Sequence, residues 1–246
     1  MSEKFYAVIP ARYASARLPG KALADIGGRP MIAWVYDRAM QSGADEVLIA
    51  TDDERIASAC ADLGASVEMT SVEHVSGTDR IAEVAERRGW SGEDIVVNVQ
   101  GDEPFLSSRL VSQVASVLRA NLDAEIATLM TPALTEKDRN DPNSARVVVD
   151  RSNRALYFSR ARIPSPRDGG ESATWRHIGL YAYRVAALRE LAATPPCELE
   201  LVEKLEQLRA LWLGMRIAVA EALEEPPAGV DTQEDLDRVR EMLVVD

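Results

Sequence analysis

Short apolar runs alternate with amphipathic segments through the first half of the chain. Apolar runs at residues 5–9, 46–50, 66–69 and 94–100 predict four buried strands. Between them, apolar residues at helical spacing predict helices at 31–40, 54–63 and about 79–88. Because strands that alternate with helices form right-handed βαβ units, we expect a parallel sheet in this half.

Two single residues suggest where these helices begin and end. Asp52 is expected to be the N-cap of the helix at 54–63, since its carboxylate can accept from an unpaired backbone N–H. Gly43 is expected to close the helix at 31–40, because glycine readily adopts the left-handed conformation of a helix end.

The second half has a more mixed pattern. Strands are predicted at 124–131, 146–150, 155–159 and 178–184, and helices at 185–193, 200–210 and 233–244. A loop rich in proline and glycine occupies 164–170. No repeat or long linker divides the chain. We therefore predict one domain over residues 1–246, with about 124–200 as an inserted mixed α/β subregion.

Composition narrows the class of protein. The 246 residues have a formal net charge of −12, which disfavours a broad surface for nucleic acid or for an anionic membrane. The two cysteines, Cys60 and Cys197, are far apart and indicate neither a disulfide framework nor a thiolate metal site. No leader-like or membrane-spanning apolar run is evident. We expect a cytoplasmic protein with no nucleic-acid or membrane partner.

A basic loop follows the first predicted strand. It contains Arg12, Arg17 and Lys21 in a chain that is otherwise acidic. Arginine supplies forked donors and lysine a mobile point charge, and both suit a triphosphate. Ala22 stands where a Walker A loop needs a magnesium-binding hydroxyl, so this is not that motif. The alternative is a solvated basic loop, but its place at a first βα turn favours phosphate binding.

Two aspartates are candidate magnesium ligands. Asp102 follows the fourth predicted strand, and Asp231 precedes the last predicted helix. Parallel sheets bind ligands at the carboxyl ends of their strands, and magnesium prefers hard oxygen ligands. The alternatives are structural: Asp102 could equally well cap a helical turn opening at Glu103, and near Asp231 the residues alone favour a cap of the last helix by Asp231 or Thr232.

The polar turn at residues 76–80 opens a predicted helix. Its backbone groups could contact a nucleobase, and Arg80 could contact a phosphate or a base carbonyl. A plain helix start capped by Thr78 or Asp79 explains the same residues equally well.

Seven segments of the chain together resemble one family. They are VIPARYASARLPGK, TDDERI, HVSGTDR, NVQGDEP, RHIGLYAY, EKLEQLR and GVDTQEDL, and they extend from Val8 to Leu236. In this order they are similar to the signature segments of the 3-deoxy-manno-octulosonate (Kdo) cytidylyltransferases, or CMP-Kdo synthetases. Each segment is moderately specific, and the ordered set is highly specific.

The resemblance implies a fold, a reaction and a partner. The fold would be a Rossmann-like nucleotidyltransferase of glycosyltransferase-A type, with a mostly parallel central sheet. The reaction would be CTP + Kdo → CMP-Kdo + diphosphate, with Mg²⁺, in lipopolysaccharide synthesis. The protein would be a homodimer, with the subregion at about 124–200 serving sugar binding and dimerisation.

The resemblance also implies roles for individual residues. Lys21, Arg17 and Asp102 would be catalytic, Arg12, Lys21 and Arg80 would bind CTP, and Asp102 and Asp231 would bind the metal. Gln100, His177, Tyr181, Glu206 and Gln207 would line the sugar-acid site. On the residues alone, Glu206 would instead lie on a solvated helix face with Arg209 as its charge partner, because Leu201, Leu205, Leu208 and Trp212 form the apolar face.

Two other functions are compatible with parts of this pattern. One is a cytidylyltransferase for another sugar acid, such as sialic acid or a modified Kdo; the RHIGLYAY and EKLEQLR segments favour Kdo. The other is a nucleotide-binding module without turnover. A binding module has no need for a two-carboxylate metal site, so Lys21, Asp102 and Asp231 together argue against it.

Overall fold

The computed structural model describes residues 4–15, 17–168 and 173–244. The strands are β1 Phe5–Ala11, β2 Asp25–Ile26, β3 Arg29–Pro30, β4 Glu46–Thr51, β5 Val67–Met69, β6 Ile95–Asn98, β7 Ile126–Pro132, β8 Arg146–Val149, β9 Ala155–Ser159, β10 Trp175–Arg184 and β11 Ile217–Glu221. The helices are α1 Met31–Met40, α2 Glu54–Ala61, α3 Gly77–Arg87, α4 Ser108–Ala120, α5 Glu136–Asn140, α6 Val185–Ala193, α7 Glu198–Glu203, α8 Gln207–Trp212 and α9 Gln233–Val244. A single 3-10 turn lies at Lys21–Leu23. Gly169 and Gly170, at the end of the predicted loop 164–170, lie outside the described residues.

A mostly parallel sheet forms the centre of the molecule. Over the described ranges it has nine strands, of which seven follow the order β11-β7-β10-β6-β1-β4-β5. Strands β6, β1, β4 and β5 are parallel to one another, as the alternation of strands and helices predicts. Strand β10 is antiparallel to both of its neighbours, β6 and β7, so it joins the two parallel parts of the sheet.

Helices cover both faces of this sheet. One face packs against apolar side chains of α1, α2 and α4, and the other against those of α3, α6 and α8. Alternate residues of each central strand therefore enter different cores; in β1, Ile9 enters the first core and Val8 the second. Among the described helices, none has both the length and the apolar character needed to cross a bilayer.

The range predicted as an insertion contributes directly to this sheet. Strands β7 and β10 fall within residues 124–200 and lie inside the sheet order. Only β8 and β9 lie off that path, β8 pairing with one end of β10 and β9 pairing with β8. Residues 124–200 therefore share the central sheet and core with the first half of the chain.

Several local expectations about helix ends are wrong. Asp53, not Asp52, caps α2 by accepting from the Arg55 backbone N–H at 2.9 Å. Ser76, not Thr78 or Asp79, is the N-cap of α3, and it forms a capping box with Asp79. These shifts of one to three residues free Asp52 and Thr78 to bind other groups.

The predicted helix at 200–210 is interrupted. Lys204 has a φ of 54°, a left-handed conformation, and it ends α7, so that α8 begins only at Gln207. Leu205 and Leu208 are buried as predicted, but Leu201 and Trp212 are exposed to 53% and 61%. A continuous helix would have placed all four on one face, whereas the break turns α7 away from the core.

Candidate active site

A cavity of about 460 Å³ opens at the carboxyl ends of the parallel strands. Residues at or after the ends of β1, β5 and β6 line it, so these three loops share one rim, as expected for a parallel sheet. The lining residues are Pro10, Ala11, Arg12, Ser15, Arg17, Lys21, Ala22, His74, Val75, Ser76, Gly77, Arg80, Gln100, Gly101, Asp102 and Asp231. Seven of the residues singled out in the sequence therefore lie around one space: Arg12, Arg17, Lys21, Arg80, Gln100, Asp102 and Asp231.

Lys21 lies between two carboxylates in this cavity. Its Nζ donates to Asp102 Oδ2 at 2.6 Å and to Asp231 Oδ1 at 3.0 Å. Although burial lowers the pKa of Lys21, the charges and hydrogen bonds of Asp102 and Asp231 raise it above its usual value. The Lys21 side chain is only 16% exposed. The interpretation of a solvated basic loop is therefore wrong for Lys21.

The tight turn after β6 places Asp102 beside the basic loop. A Cβ at Gly101 would lie 2.9 Å from the Pro10 backbone oxygen, so only glycine lets this turn approach β1 so closely. A hydrogen-bonded turn does open at Glu103, where the Leu106 backbone N–H donates to the Glu103 carbonyl at 3.1 Å, but the Asp102 carboxylate does not accept from the backbone of that turn as a cap would. The Asp102 carboxylate instead contacts Lys21.

The segment before α9 brings Asp231 to the same cavity. The Val230 backbone N–H donates to the Asp102 carbonyl at 2.8 Å, and the Val230 side chain is fully buried. At the start of α9 the Asp235 backbone N–H donates to Thr232 Oγ1 at 3.2 Å. The Asp231 carboxylate makes no such cap and instead pairs with Lys21 and with Arg17, the latter at 2.9 Å.

Glu103 is an acidic residue of this site that was not singled out in the sequence. Burial, together with the charges of Asp102 and Asp231, raises the pKa of Glu103 to about 8. Two carboxylates thus contact Lys21, and a third carboxyl group, that of Glu103, lies close enough for their charges to raise its pKa. The signal was present in the sequence as the consecutive pair Asp102-Glu103, but sequence alone did not show that Glu103 would be buried.

Arg80 is buried at the cavity wall and held on two sides. Its guanidinium donates to Thr70 Oγ1 and to Asp52 Oδ2, the latter at 2.8 Å. It therefore ties α3 to the ends of β4 and β5. Arg12 and Arg17 lie on the basic loop itself, and the Arg17 side chain is 66% exposed.

The other predicted sugar-site residues form a second group, which does not line this cavity. His177 and Tyr181 lie on β10 with ring centroids 5.3 Å apart, and burial raises the pKa of Tyr181 well above its usual value. Glu206 and Gln207 lie at the start of α8. Burial also raises the pKa of Glu206, although its contacts with Thr78 and Arg209 act in the opposite direction.

The solvated-face interpretation of Glu206 is right about its charge partner and wrong about its exposure: Arg209 lies 3.8 Å from the carboxylate, but the side chain is only 29% exposed. The carboxylate accepts a hydrogen bond from Thr78 Oγ1, and Arg209 is engaged more closely by Glu200, at 2.7 and 2.8 Å. Thr78 follows Gly77, which lines the cavity, so α3 connects the cavity with this second group. We call this second group, together with Asn98, which pairs with Tyr181 across β6 and β10, the polar cluster. Its members are Asn98, His177, Tyr181, Glu206 and Gln207.

His177 is a neutral, half-buried ring. Burial, with a smaller effect from the charge of Arg176, lowers the pKa of His177 to about 3. Its Nε2 lies 2.9 Å from Thr128 Oγ1, whose own hydrogen is directed to the carbonyls of Ile178 and Leu180 at 3.0 and 2.8 Å. Since a hydroxyl has one hydrogen, His177 is the donor to Thr128. Its Nδ1 is then an acceptor.

The donor set at Asp102 and Asp231 fits a magnesium ion. Two carboxylates from distant parts of the chain already converge on one cation, Lys21, and carboxylate oxygens are the protein ligands that magnesium prefers. Among the described residues, no group of three or more acidic, histidine or cysteine side chains is arranged to hold a metal by itself. A magnesium ion here would therefore complete its coordination with phosphate oxygens and water, as this ion commonly does.

Comparisons with known proteins agree with this geometry. The family described as "Cytidylyltransferase" matches residues 6–217. Relatives named 3-deoxy-manno-octulosonate cytidylyltransferase include those of Tolumonas auensis, 52% identical over 97% of this chain and 96% of the relative, and of Pseudomonas fluorescens, 51% identical over 99% of both.

Solved structures show the same fold. A CMP:2-keto-3-deoxy-manno-octonic acid synthetase, solved in complex with CTP, superposes with a TM-score of 0.92 at 40% identity, over 98% of this chain and 99% of the other. A cytidylyltransferase from Leptospira borgpetersenii has a TM-score of 0.66 at 17% identity, over 99% of this chain and 88% of its own, and shows the fold alone. These matches confirm the nucleotidyltransferase fold predicted from the sequence.

Proposed function

The chain belongs to the cytidylyltransferase family, and we propose that it transfers a cytidylyl group from CTP to Kdo, forming CMP-Kdo and diphosphate. The observation that best supports this activity is the arrangement around Lys21. A lysine held by two carboxylates, next to two arginines, faces a cavity at the carboxyl ends of a parallel sheet. That arrangement suits a magnesium–triphosphate substrate better than it suits any neutral ligand.

We assign the basic loop to the triphosphate. Arg12, Arg17 and Lys21 would bind the phosphate oxygens and offset the charge that grows on the α-phosphate and on the leaving diphosphate. When CTP binds, Arg17 and Lys21 exchange contacts with Asp231 for contacts with phosphate. Arg80 would serve the cytidine end of the cavity, where the buried ion pair with Asp52 holds its guanidinium in place.

Asp102 and Asp231 would hold the magnesium ion. Bound there, the ion would supply Lewis-acid charge neutralisation at the phosphates. The chain's own contribution is to keep both carboxylates in place, through the close approach of Gly101 to β1 and the Val230 hydrogen bond to Asp102. Positioning of this kind matters because phosphoryl-type transfer depends on geometry and charge more than on covalent chemistry.

Kdo would bind where the cavity meets the polar cluster. Gln100 lines the cavity. The polar cluster is joined to the cavity wall through α3, where Thr78 donates to Glu206. The sugar's anomeric hydroxyl would then face the α-phosphate, and its other hydroxyls would face the polar cluster. Neutral His177 offers an acceptor nitrogen and Glu206 an acceptor carboxylate to such hydroxyls.

We also propose that the enzyme is a cytoplasmic homodimer that serves lipopolysaccharide synthesis. Exposed apolar side chains on β9, α7 and α8 support the dimer, since these elements are neighbours and a second copy could cover them. The residues are Leu156, Leu199, Leu201, Val202 and Trp212. We call this surface the apolar patch.

Diphosphate release is the direct test of the activity. The protein is mixed with each of the four nucleoside triphosphates and with Kdo, 8-amino-Kdo or sialic acid, with and without magnesium. We expect release only with CTP, magnesium and Kdo or its close analogue. Release with sialic acid instead would assign the enzyme to that sugar, and no release with any pair would contradict a transferase.

Lys21→Ala tests the role of Lys21 in the same assay. Loss of a cation aimed at transition-state charge is expected to slow release about 100-fold or more. An equally active Lys21→Ala protein would show that Lys21 does not act on the phosphates.

A further inference from the structure

The segment between β5 and α3 forms one wall of the cavity. Its last residues, Val75 and Ser76, line the cavity together with Gly77, the first residue of α3, the helix that carries Arg80. We call residues 71–76 the wall segment. Its residues all lie in the described part of the chain and none belongs to a helix or strand, so the regular hydrogen bonds of such an element do not fix its position. Side chains from other elements must hold it in place.

One carboxylate on α3 holds the wall segment at two points. Glu83 Oε2 accepts from the Ser71 backbone N–H at 2.9 Å and lies 2.5 Å from His74 Nε2. The side chains of Glu83 and His74 are only 18% and 23% exposed, so water competes weakly for their contact. Arg87, one turn further along α3, donates to the other carboxylate oxygen, Oε1. Glu83 is thus held on its own helix while it binds the wall segment.

His74 is the donor in its contact with Glu83. Although burial raises the pKa of the Glu83 carboxyl, hydrogen bonds from Ser71 and His74 and the charge of Arg87 lower it below its usual value, so the group is ionised at neutral pH. An ionised carboxylate can only accept, so His74 donates through Nε2–H. Hydrogen bonds to a charged acceptor are shorter and roughly twice as strong as neutral ones. The contact therefore fixes both the position and the orientation of the His74 ring.

His74 connects this contact with the cavity. Its ring lines the cavity and also lines a second cavity, of about 620 Å³, bordered by α3 and α6. Val75 and Ser76 follow His74 directly, and α3 holds Ser76 as well, through the capping box with Asp79. The wall segment is therefore fastened to α3 at Ser71, His74 and Ser76.

Glu83 can affect a ligand only through the residues that it holds. It does not itself line the cavity, whereas His74, Val75 and Ser76 do. A wall that is ordered before the ligand arrives costs less conformational entropy on binding than a wall that the ligand must order. The contact between Glu83 and His74 provides that order in advance.

We propose that Glu83 is a positioning residue for the nucleotide, which holds the wall segment against the cytidine end of CTP through its contact with His74. The inference rests on the proposed function, in which Arg80 serves the cytidine end of the cavity. It adds Glu83 and His74 to the residues on which nucleotide binding depends.

Calorimetry without sugar tests the proposal. Wild type, Glu83→Ala, His74→Ala and the double variant are titrated, in the presence of magnesium, with CTP, CMP and inorganic tripolyphosphate. Each single variant should bind CTP and CMP about 5-fold to 10-fold more weakly, because the ligand must then order the wall, while tripolyphosphate binding changes less than about 2-fold. The double variant should bind CTP no more weakly than the weaker single variant, since both substitutions remove the same contact.

Two further variants distinguish positioning from direct contact. Glutamine can donate to Glu83 from its amide nitrogen, so His74→Gln should bind CTP within about 2-fold of wild type. Glu86→Ala is the matched control and should bind CTP as wild type does, because Glu86 is exposed on the same helix and lines the second cavity but not the first.

Three results would overturn the proposal. If His74→Gln binds CTP as weakly as His74→Ala, or if the losses of the two single variants multiply in the double variant, His74 acts on the nucleotide by itself. If tripolyphosphate binding falls as much as CTP binding, the effect does not lie at the cytidine end.

Michaelis constants and melting temperatures separate positioning from a loss of folded protein. The Michaelis constant for CTP should rise in Glu83→Ala and His74→Ala, while that for Kdo at saturating CTP stays within about 2-fold of wild type. A Glu83→Ala protein that melts at a lower temperature but keeps the CTP affinity of wild type would show a structural role only, and the proposal would be wrong.

Failure of the proposed activity would be distinguishable from failure of this inference, because calorimetry needs no turnover. If wild type releases no diphosphate but binds CTP and CMP in the way that Glu83 and His74 control, the reaction is wrong and the positioning role stands. If wild type releases diphosphate and Glu83→Ala binds CTP normally, the reaction stands and the positioning role is wrong. A wild type that binds neither CTP nor CMP overturns both.

Discussion

Asp102 illustrates how one carboxylate acquires a role from its surroundings. It follows a glycine turn, contacts Lys21 at 2.6 Å and lies beside a second acid, Glu103, whose pKa is raised to about 8 by burial and by the charges of Asp102 and Asp231. Asp102 and Asp231 are paired with Lys21 and Arg17, and the raised pKa of Glu103 reflects its burial and the cost of a third negative charge beside them.

Asp102→Asn should nearly abolish turnover at saturating magnesium. An amide is a poor substitute for a hard anionic ligand, and we expect diphosphate release to fall at least 100-fold with little change in melting temperature. Asp53→Asn is the matched control, since Asp53 is a true helix cap and asparagine caps a helix equally well. Near-normal turnover by Asp102→Asn would remove Asp102 from the metal site.

His177 should make stability depend on pH. The pKa of His177 is about 3 in the folded protein, mainly because of burial and to a smaller extent because of the charge of Arg176. In the unfolded chain it is about 6.5. The unfolded chain therefore takes up a proton first as the pH falls. The neutral ring makes its full contribution to the free energy of unfolding above about pH 6.5, and this contribution is lost progressively toward pH 3. At pH 5 the loss amounts to about 2 kcal/mol.

His177→Asn should flatten this dependence. Urea unfolding at pH 7.5 and pH 5 measures the free energy of unfolding of wild type and of His177→Asn. We expect the drop between the two pH values to be about 2 kcal/mol smaller in His177→Asn than in wild type. An equal drop in the two proteins would contradict a neutral His177 ring.

At the scale of elements, the break between α7 and α8 decides where two of the proposed sugar-site residues, Glu206 and Gln207, lie. Lys204 adopts φ 54°, which is unfavourable for a side chain with a Cβ, and the chain then turns so that Leu205 and Leu208 enter the core. Because α8 begins at Gln207, Glu206 faces Thr78 of α3 instead of solvent.

Lys204→Gly should therefore stabilise the protein. Relief of the left-handed conformation is expected to raise the free energy of unfolding by about 1 kcal/mol, or the melting temperature by about 2–4 °C. Asn153→Gly is the control: Asn153 has a similar φ of 56°, but asparagine tolerates that region, so the gain should be smaller. A less stable Lys204→Gly protein would show that the break depends on the lysine side chain.

At the scale of the whole molecule, one face of the sheet carries both the polar cluster and the apolar patch. The cavity opens at one edge of the strands, and the apolar patch lies on β9, α7 and α8. Elements of the same second core therefore support both the polar cluster and the proposed contact between copies. The proposed contact between copies and the proposed sugar site would therefore depend on neighbouring parts of the fold.

Trp212→Glu should disrupt the proposed homodimer. Trp212 is 61% exposed in the apolar patch, and a charge there would oppose burial against a second copy. Sedimentation velocity should give wild type at twice the 26.9 kDa chain mass and Trp212→Glu at the chain mass. Met40→Glu, on α1 and 53% exposed, is the control and should leave the mass unchanged. A monomeric wild type would rule the dimer out.

Local features were predictable from the sequence because they depend on local spacing. The apolar runs of β1, β4 and β6 and the ranges of α1, α6 and α9 agree with the structure, since strand and helix periods are written into neighbouring residues. The parallel order of the strands then placed Lys21, Gln100 and Asp102 at one rim, as βαβ connections require.

Only the tertiary structure decided which of these groups meet and in what environment. Lys21 and Asp231 are 210 residues apart in the chain, Asp52 leaves its expected cap for Arg80, and Asn98 meets Tyr181 across β6 and β10. Helix caps, the break at Lys204 and the burial of Glu103 and Glu206 follow from competition among distant groups for hydrogen bonds, charge and space. That competition is settled by packing and desolvation, which periodicity along the chain does not encode.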